Sequence, residues 1–154
     1  MVDVSGVYPK VKIVSTSIPL IELTKFADDQ NPIDVEQIEV TGHAIQVCGE
    51  LVTWEKPSAY IVSVAVLCGT DDDINLRFLL ESSHVHAKAG FALAPTVALY
   101  SQIGKRNMFG IITSNDSQVY TNGRIVSGRP GSAVDSDGKK ISNVYTFVFE
   151  TSAS

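Results

Sequence analysis

Three consecutive aspartates, Asp71, Asp72 and Asp73, stand between an apolar run at 60–68 and a second at 74–80. Clustered carboxylates can hold calcium or magnesium, or serve as general acid and base. The spacing argues against both. Calcium loops place ligands at alternating positions with a glycine for the turn, whereas three adjacent side chains diverge. The same residues suit the start of a helix. Gly69 breaks the preceding strand, Thr70 is a good N-cap, and the three acids fill the first turn. There the backbone N–H groups lack partners and the helix dipole favours negative charge. Asp73 can then pair with Arg77 one turn later.

His84 and His86 form the second candidate. In a strand they would share a face and could bind zinc, but no third ligand lies nearby and His43 is remote in sequence. Surface histidines beyond the helix end are the plainer reading. No Gly-x-Ser-x-Gly elbow occurs. "SQIGKRN" lacks the spaced glycines of a phosphate loop, and "SGRPGS" precedes no helix. No acid–base pair stands out. The residues therefore predict no enzyme, no metal and no cofactor, with a small hydrolase of scattered residues as a distant alternative.

The chain has 154 residues, 44% of them hydrophobic, enough for one domain with its own core. No apolar run reaches the roughly 18 residues that span a bilayer, so no membrane insertion is expected. The start, "MVDVSGVYPKVK", does not read as a signal peptide. Cys48 and Cys68 are too few for a disulfide framework and read as two buried free thiols. The net charge of −5 disfavours a broad nucleic-acid face. The halves differ: residues 1–73 carry twelve acids against four lysines, and residues 74–154 carry five acids against eight lysines and arginines. Opposite-signed surfaces could meet between copies of the chain, or the split is chance on a solvated surface.

Residues 1–10 read as an N-terminal arm. "KVKIVSTSIPLIEL" is strand material that Pro19 confines to an edge or bends. Residues 24–34 form a polar loop. Residues 33–54 are β-rich, with Gly42 and Gly49 marking bulges or turns. The run 60–68 suits a central strand covered on both faces. The helix extends over about 70–84, with Ile74, Phe78 and Leu80 toward one face and Leu76 and Leu79 widening it. In "PTVALYSQI", Val97, Leu99, Ser101 and Ile103 alternate with Thr96, Ala98, Tyr100 and Gln102. A turn follows at 104–107, then a short strand at 108–113, a turn at 114–117 and a strand at 118–126. Residues 127–140 form a long hydrophilic loop. "ISNVYTFVFE" closes the domain, with Tyr145, Phe147 and Phe149 on one face and Val144 and Val148 on the other. Residues 1–154 thus form a single, mainly β domain: an antiparallel β-sandwich or barrel of seven or eight strands with one mid-chain α-helix.

This order of elements, and above all "NGRIVSG…DGKKISNVYTFVFE", resembles the tail tube protein of contractile-tailed bacteriophages, related to the inner tubes of type VI secretion and bacteriocins. The resemblance covers most of the chain as a pattern. It implies a structural virion protein that self-assembles into hexameric rings, stacked into a tube around a channel for genome delivery. The implied partners are further copies of the chain, the tail sheath, baseplate and tape-measure proteins, and DNA in transient non-specific contact. The implied location is the virion tail, assembled in the bacterial cytoplasm. Ring stacking would then bring Asp28, Asp29 and Asp34 against Arg129, Lys139 and Lys140 of the next ring. The face Thr96, Ala98, Tyr100, Gln102 is the candidate channel lining. The alternatives are another tail or baseplate ring protein, a capsid decoration protein, or a β-sandwich carbohydrate-binding module using Trp54.

Overall fold

The computed structural model describes residues 7–16, 20–23, 26, 31–89, 95–106, 112–131, 134, 136–138 and 142–153. Among them the chain forms, in order, β1 (Val7–Ser15), β2 (Ile21–Leu23), β3 (Ile33–Val35), β4 (Thr41–Ile45), β5 (Leu51–Glu55), β6 (Tyr60–Val66), α1 (Asp71–Ala89), β7 (Val97–Arg106), β8 (Ile112–Ser127) and β9 (Asn143–Ala153). The fold is mainly β: a seven-stranded antiparallel half-barrel, ordered β2-β1-β7-β8-β9-β6-β3, with one mid-chain helix. β4 and β5 form a separate two-stranded sheet.

The period of two in the sequence lines the inner wall. Val11 and Ile13 of β1, Val97 and Leu99 of β7, Val62 and Val64 of β6, and Tyr145, Phe147 and Phe149 of β9 are all buried in one core. The register brings these residues level: Ile13 opposes Leu99, and Val62 opposes Phe147. Aromatic rings fill one end, with Tyr120 5.5 Å from Phe149 and 6.2 Å from Tyr60. The sheet is rolled so strongly that Phe26, three residues beyond the edge strand β2, bridges Val66 of β6 near the other edge. Three residues reach at most about 10 Å, so the two margins lie close together.

Several expectations change. Residues 7–10, assigned to an arm, belong to β1, paired with β7 from Val7↔Lys105 onward. The turn expected at 114–117 is absent, because β8 runs through it as one strand of 16 residues. Within β8 the register shifts near both ends and once in the middle. Asn122 takes φ 56°, and the ladder to β7 skips from Leu99↔Tyr120 to Val97↔Gly123. This bulge lets Tyr120, Gly123 and Ile125 all face inward. β6 is covered only in part on its outer side, where Ile61 and Ser63 remain half-exposed.

Helix α1 extends to Ala89, beyond the expected end, so His84 and His86 are helical and two positions apart no longer share a face. Its buried stripe is Asp72, Asp73, Leu76 and Leu79; Ile74 and Phe78, expected inside, are 54% and 58% exposed. Both apolar stripes have helical spacing. The rotation is decided by a polar anchor described below.

Gly123 is a site of close approach. A Cβ there would fall 2.5 Å from the Val148 carbonyl oxygen and against the Phe149 ring, whereas one at Gly131 would meet nothing within 4 Å. Gly123→Ala should therefore destabilise the fold by about 1–3 kcal/mol, and Gly131→Ala should be close to neutral, in denaturant titrations monitored by circular dichroism.

Candidate assembly surface

The face Thr96, Ala98, Tyr100, Gln102 does turn away from the core: Thr96 is exposed and the other three are half-exposed, opposite the buried Val97, Leu99 and Ser101. Its neighbours on β1 are Lys10, level with Gln102, Lys12, level with Tyr100, and the exposed Val14, level with Ala98. Lys10 in turn sits 3.7 Å from Glu22 on β2. This wall is mostly polar and neutral to basic. Of the residues expected at ring junctions, Asp34 in β3 and Arg129 after β8 are exposed. Asp28, Asp29, Lys139 and Lys140 lie outside the described residues.

The β4–β5 hairpin is the feature that the sequence hides. Ile45, Val47 and Leu51 read as strand-forming residues, yet they stand in solvent, because among the described residues this pair of strands joins no other sheet. Its base is tied: Lys56 Nζ lies 2.7 Å from Glu39 Oε2, and the Lys56 N–H donates to the Val40 carbonyl. Gly42, expected in a bulge or turn, lies in the regular part of β4, where the Trp54 ring packs directly on it across the ladder. That contact leaves Trp54 half-exposed. Gly49 does serve the tip turn, at φ 87°. Cys48, expected to be buried, is exposed at this turn, while Cys68 is buried; both are free thiols. A hint was present in the sequence, since apolar residues on both faces of a short hairpin exceed what one core can cover.

The aspartate run resolves into a cap and one buried hub. Thr70 Oγ1 accepts from the Asp73 N–H at 3.4 Å, and Asp73 Oδ2 accepts from the Gly69 N–H at 3.0 Å. Asp73 itself is fully buried. Its Oδ2 also accepts from Arg77 Nη2 at 2.7 Å, and its Oδ1 accepts from Asn143 Nδ2 and Tyr145 Oη, each at 2.7 Å. Burial pushes the carboxyl pKa up. The donors Asn143, Gly69 and Tyr145, with the Arg77 charge, outweigh it and hold the value below the ordinary 3.8. Tyr145 moves the other way, raised first by burial and then by its bond to Asp73, so it remains a protonated donor. Every strong acceptor position is occupied by a structural partner, and no group of three metal-binding side chains occurs among the described residues.

Because the Asp73 pKa is depressed on folding, its contribution is complete above the unfolded carboxyl value and is lost as pH falls through the folded one. Asp73→Ala should cost about 3–5 kcal/mol at neutral pH. Asp73→Asn should be less stable at pH 7 and lose less on acidification than the wild type. Thermal melts between pH 7 and pH 3 test both.

Comparison with known proteins adds the family. Residues 2–153 match the family model described as tail fiber protein gp32. No curated protein matches the sequence. Among solved structures, the fold is similar to that of a chain in the cryo-EM structure of the anti-feeding prophage (AFP) baseplate, 6-fold symmetrised. The match has a TM-score of 0.53 and 10% identity, covering 94% of this chain and 90% of that one. The chain therefore belongs to the tail fiber protein gp32 family and is a structural component of the phage tail.

Proposed function

We propose that the protein is a ring-forming subunit at the baseplate end of the tail, with copies of the chain surrounding a channel. The β4–β5 hairpin carries this reading. A two-stranded sheet is marginal alone in water, and this one presents bare apolar side chains that association would cover. The whole-chain likeness to a chain of a six-fold symmetrised baseplate supports it as well. Partners in this reading are further copies and neighbouring tail and baseplate proteins. A tube subunit proper, stacked in hexamers within a sheath and around a tape-measure protein, is a finer version. Asp28, Asp29 and Asp34 would then face Arg129, Lys139 and Lys140 of the next ring. The Thr96, Ala98, Tyr100, Gln102 wall would line the channel, where a surface without dense positive charge lets DNA slide.

Negative-stain imaging and sedimentation of the purified protein across concentrations test the proposal. Discrete rings are expected. Long tubes would favour the tube subunit instead, and a monomer at every concentration would overturn both. Reversing Asp34 and Arg129 one at a time should weaken ring stacking at low salt and change little at high salt.

A further inference from the structure

Two surfaces of the chain are built to be covered, and they complement each other. One is the hairpin tip. Its turn is preformed, with the Gln46 N–H bonded to the Glu50 carbonyl at 2.9 Å and the Gly49 N–H to the Gln46 carbonyl at 2.8 Å. Around Glu50 it exposes Val47, Ile45 and Leu51, the last two at 71% and 60%. The other is an open groove of ≈ 740 Å³ on the outer side of β8 and β9, walled by the segment 57–59 that follows β5. Val126 and Val148 give it an apolar floor, and Arg124 and Glu150 both line it, Glu150 accepting from Asn122 Nδ2. Arg124 is exposed and forms no ion pair with any described residue.

We propose that the β4–β5 tip of one copy seats in the Arg124 groove of a second copy, with Glu50 pairing Arg124 and Val47 and Leu51 covering Val126 and Val148. The occupant follows from geometry and charge. The hairpin pairs Thr41↔Glu55 at its base and Ile45↔Leu51 at its tip. Five residues per strand carry the tip about 15 Å from that base. The groove is walled by 57–59, next to that base, so a chain's own tip lies about a hairpin's length from that wall. The residues 34–56, from β3 to the end of the hairpin, hold Asp34, Glu36, Glu39, Glu50 and Glu55 against the single cation Lys56. An acidic arm thus meets a groove whose carboxylate, Glu150, is engaged by Asn122 and whose Arg124 has no ion-pair partner among the described residues. The contact is heterologous: each docked pair leaves one tip and one groove open, so it closes a ring or propagates. This inference rests on the self-assembly reading above and names the surfaces responsible.

Sedimentation equilibrium of the full chain tests it, with Glu50→Arg, Arg124→Glu and the double variant. Both residues are exposed, so folding, checked by circular dichroism, should be unchanged. Each single variant should raise the dissociation concentration roughly tenfold, and the double variant should recover most of that loss. Cys48 at the tip gives a second readout. In Ser58→Cys, mild oxidation should produce a covalent ladder beyond dimers. Asp71→Cys, on the exposed helix start, should produce none. Wild-type association that neither charge variant weakens, or ladders in both or neither of the cysteine variants, would overturn the docking while leaving ring formation standing. A wild type that never associates would remove both.

Discussion

A carboxylate with no exposure to water sets how the helix meets the barrel. Asp73 accepts from the Gly69 backbone, from Arg77 on its own helix, and from Asn143 and Tyr145 on β9. Removing a charge from water costs several kcal/mol, so such a group is kept only where donors surround it. Here the donors come from the helix start, the next helical turn and the central wall. Satisfying all of them fixes the rotation of α1. Leu76 and Leu79 follow Asp73 into the core, and Ile74 and Phe78, two positions from Leu76 along the helix, are carried to the opposite side.

The same anchoring commits Asp73 to a structural role. A catalytic or metal-binding carboxylate needs an open coordination position or a proton to exchange. Asp73 has its oxygens engaged, and its neighbour Tyr145 is held protonated. The core around it is one-sided: the half-barrel buries its concave wall and leaves a half-exposed convex wall, mostly polar along β7 and apolar at Val126 and Val148 of β8 and β9. Surplus apolar surface gathers elsewhere, on the hairpin and the outer helix face. In a protein of the tail, such surplus is what the proposed assembly would cover.

The sequence by itself determined the β class, the single helix start at Thr70 and Asp71, the inward face of β9 and the alternation of β7. Each of these is local: capping chemistry and a period of two need no knowledge of distant residues. Only the tertiary structure decided which helix stripe is buried, because 74/78 and 76/79 are both apolar at helical spacing and the choice belongs to Asn143 and Tyr145, some 70 residues away. It also decided that β8 is one long strand, because the turn residues at 114–117 are overridden by pairing with β7 over its full length. And it decided that Ile45, Val47 and Leu51 face solvent, since β-propensity reports that a residue suits a sheet but not whether another sheet covers it.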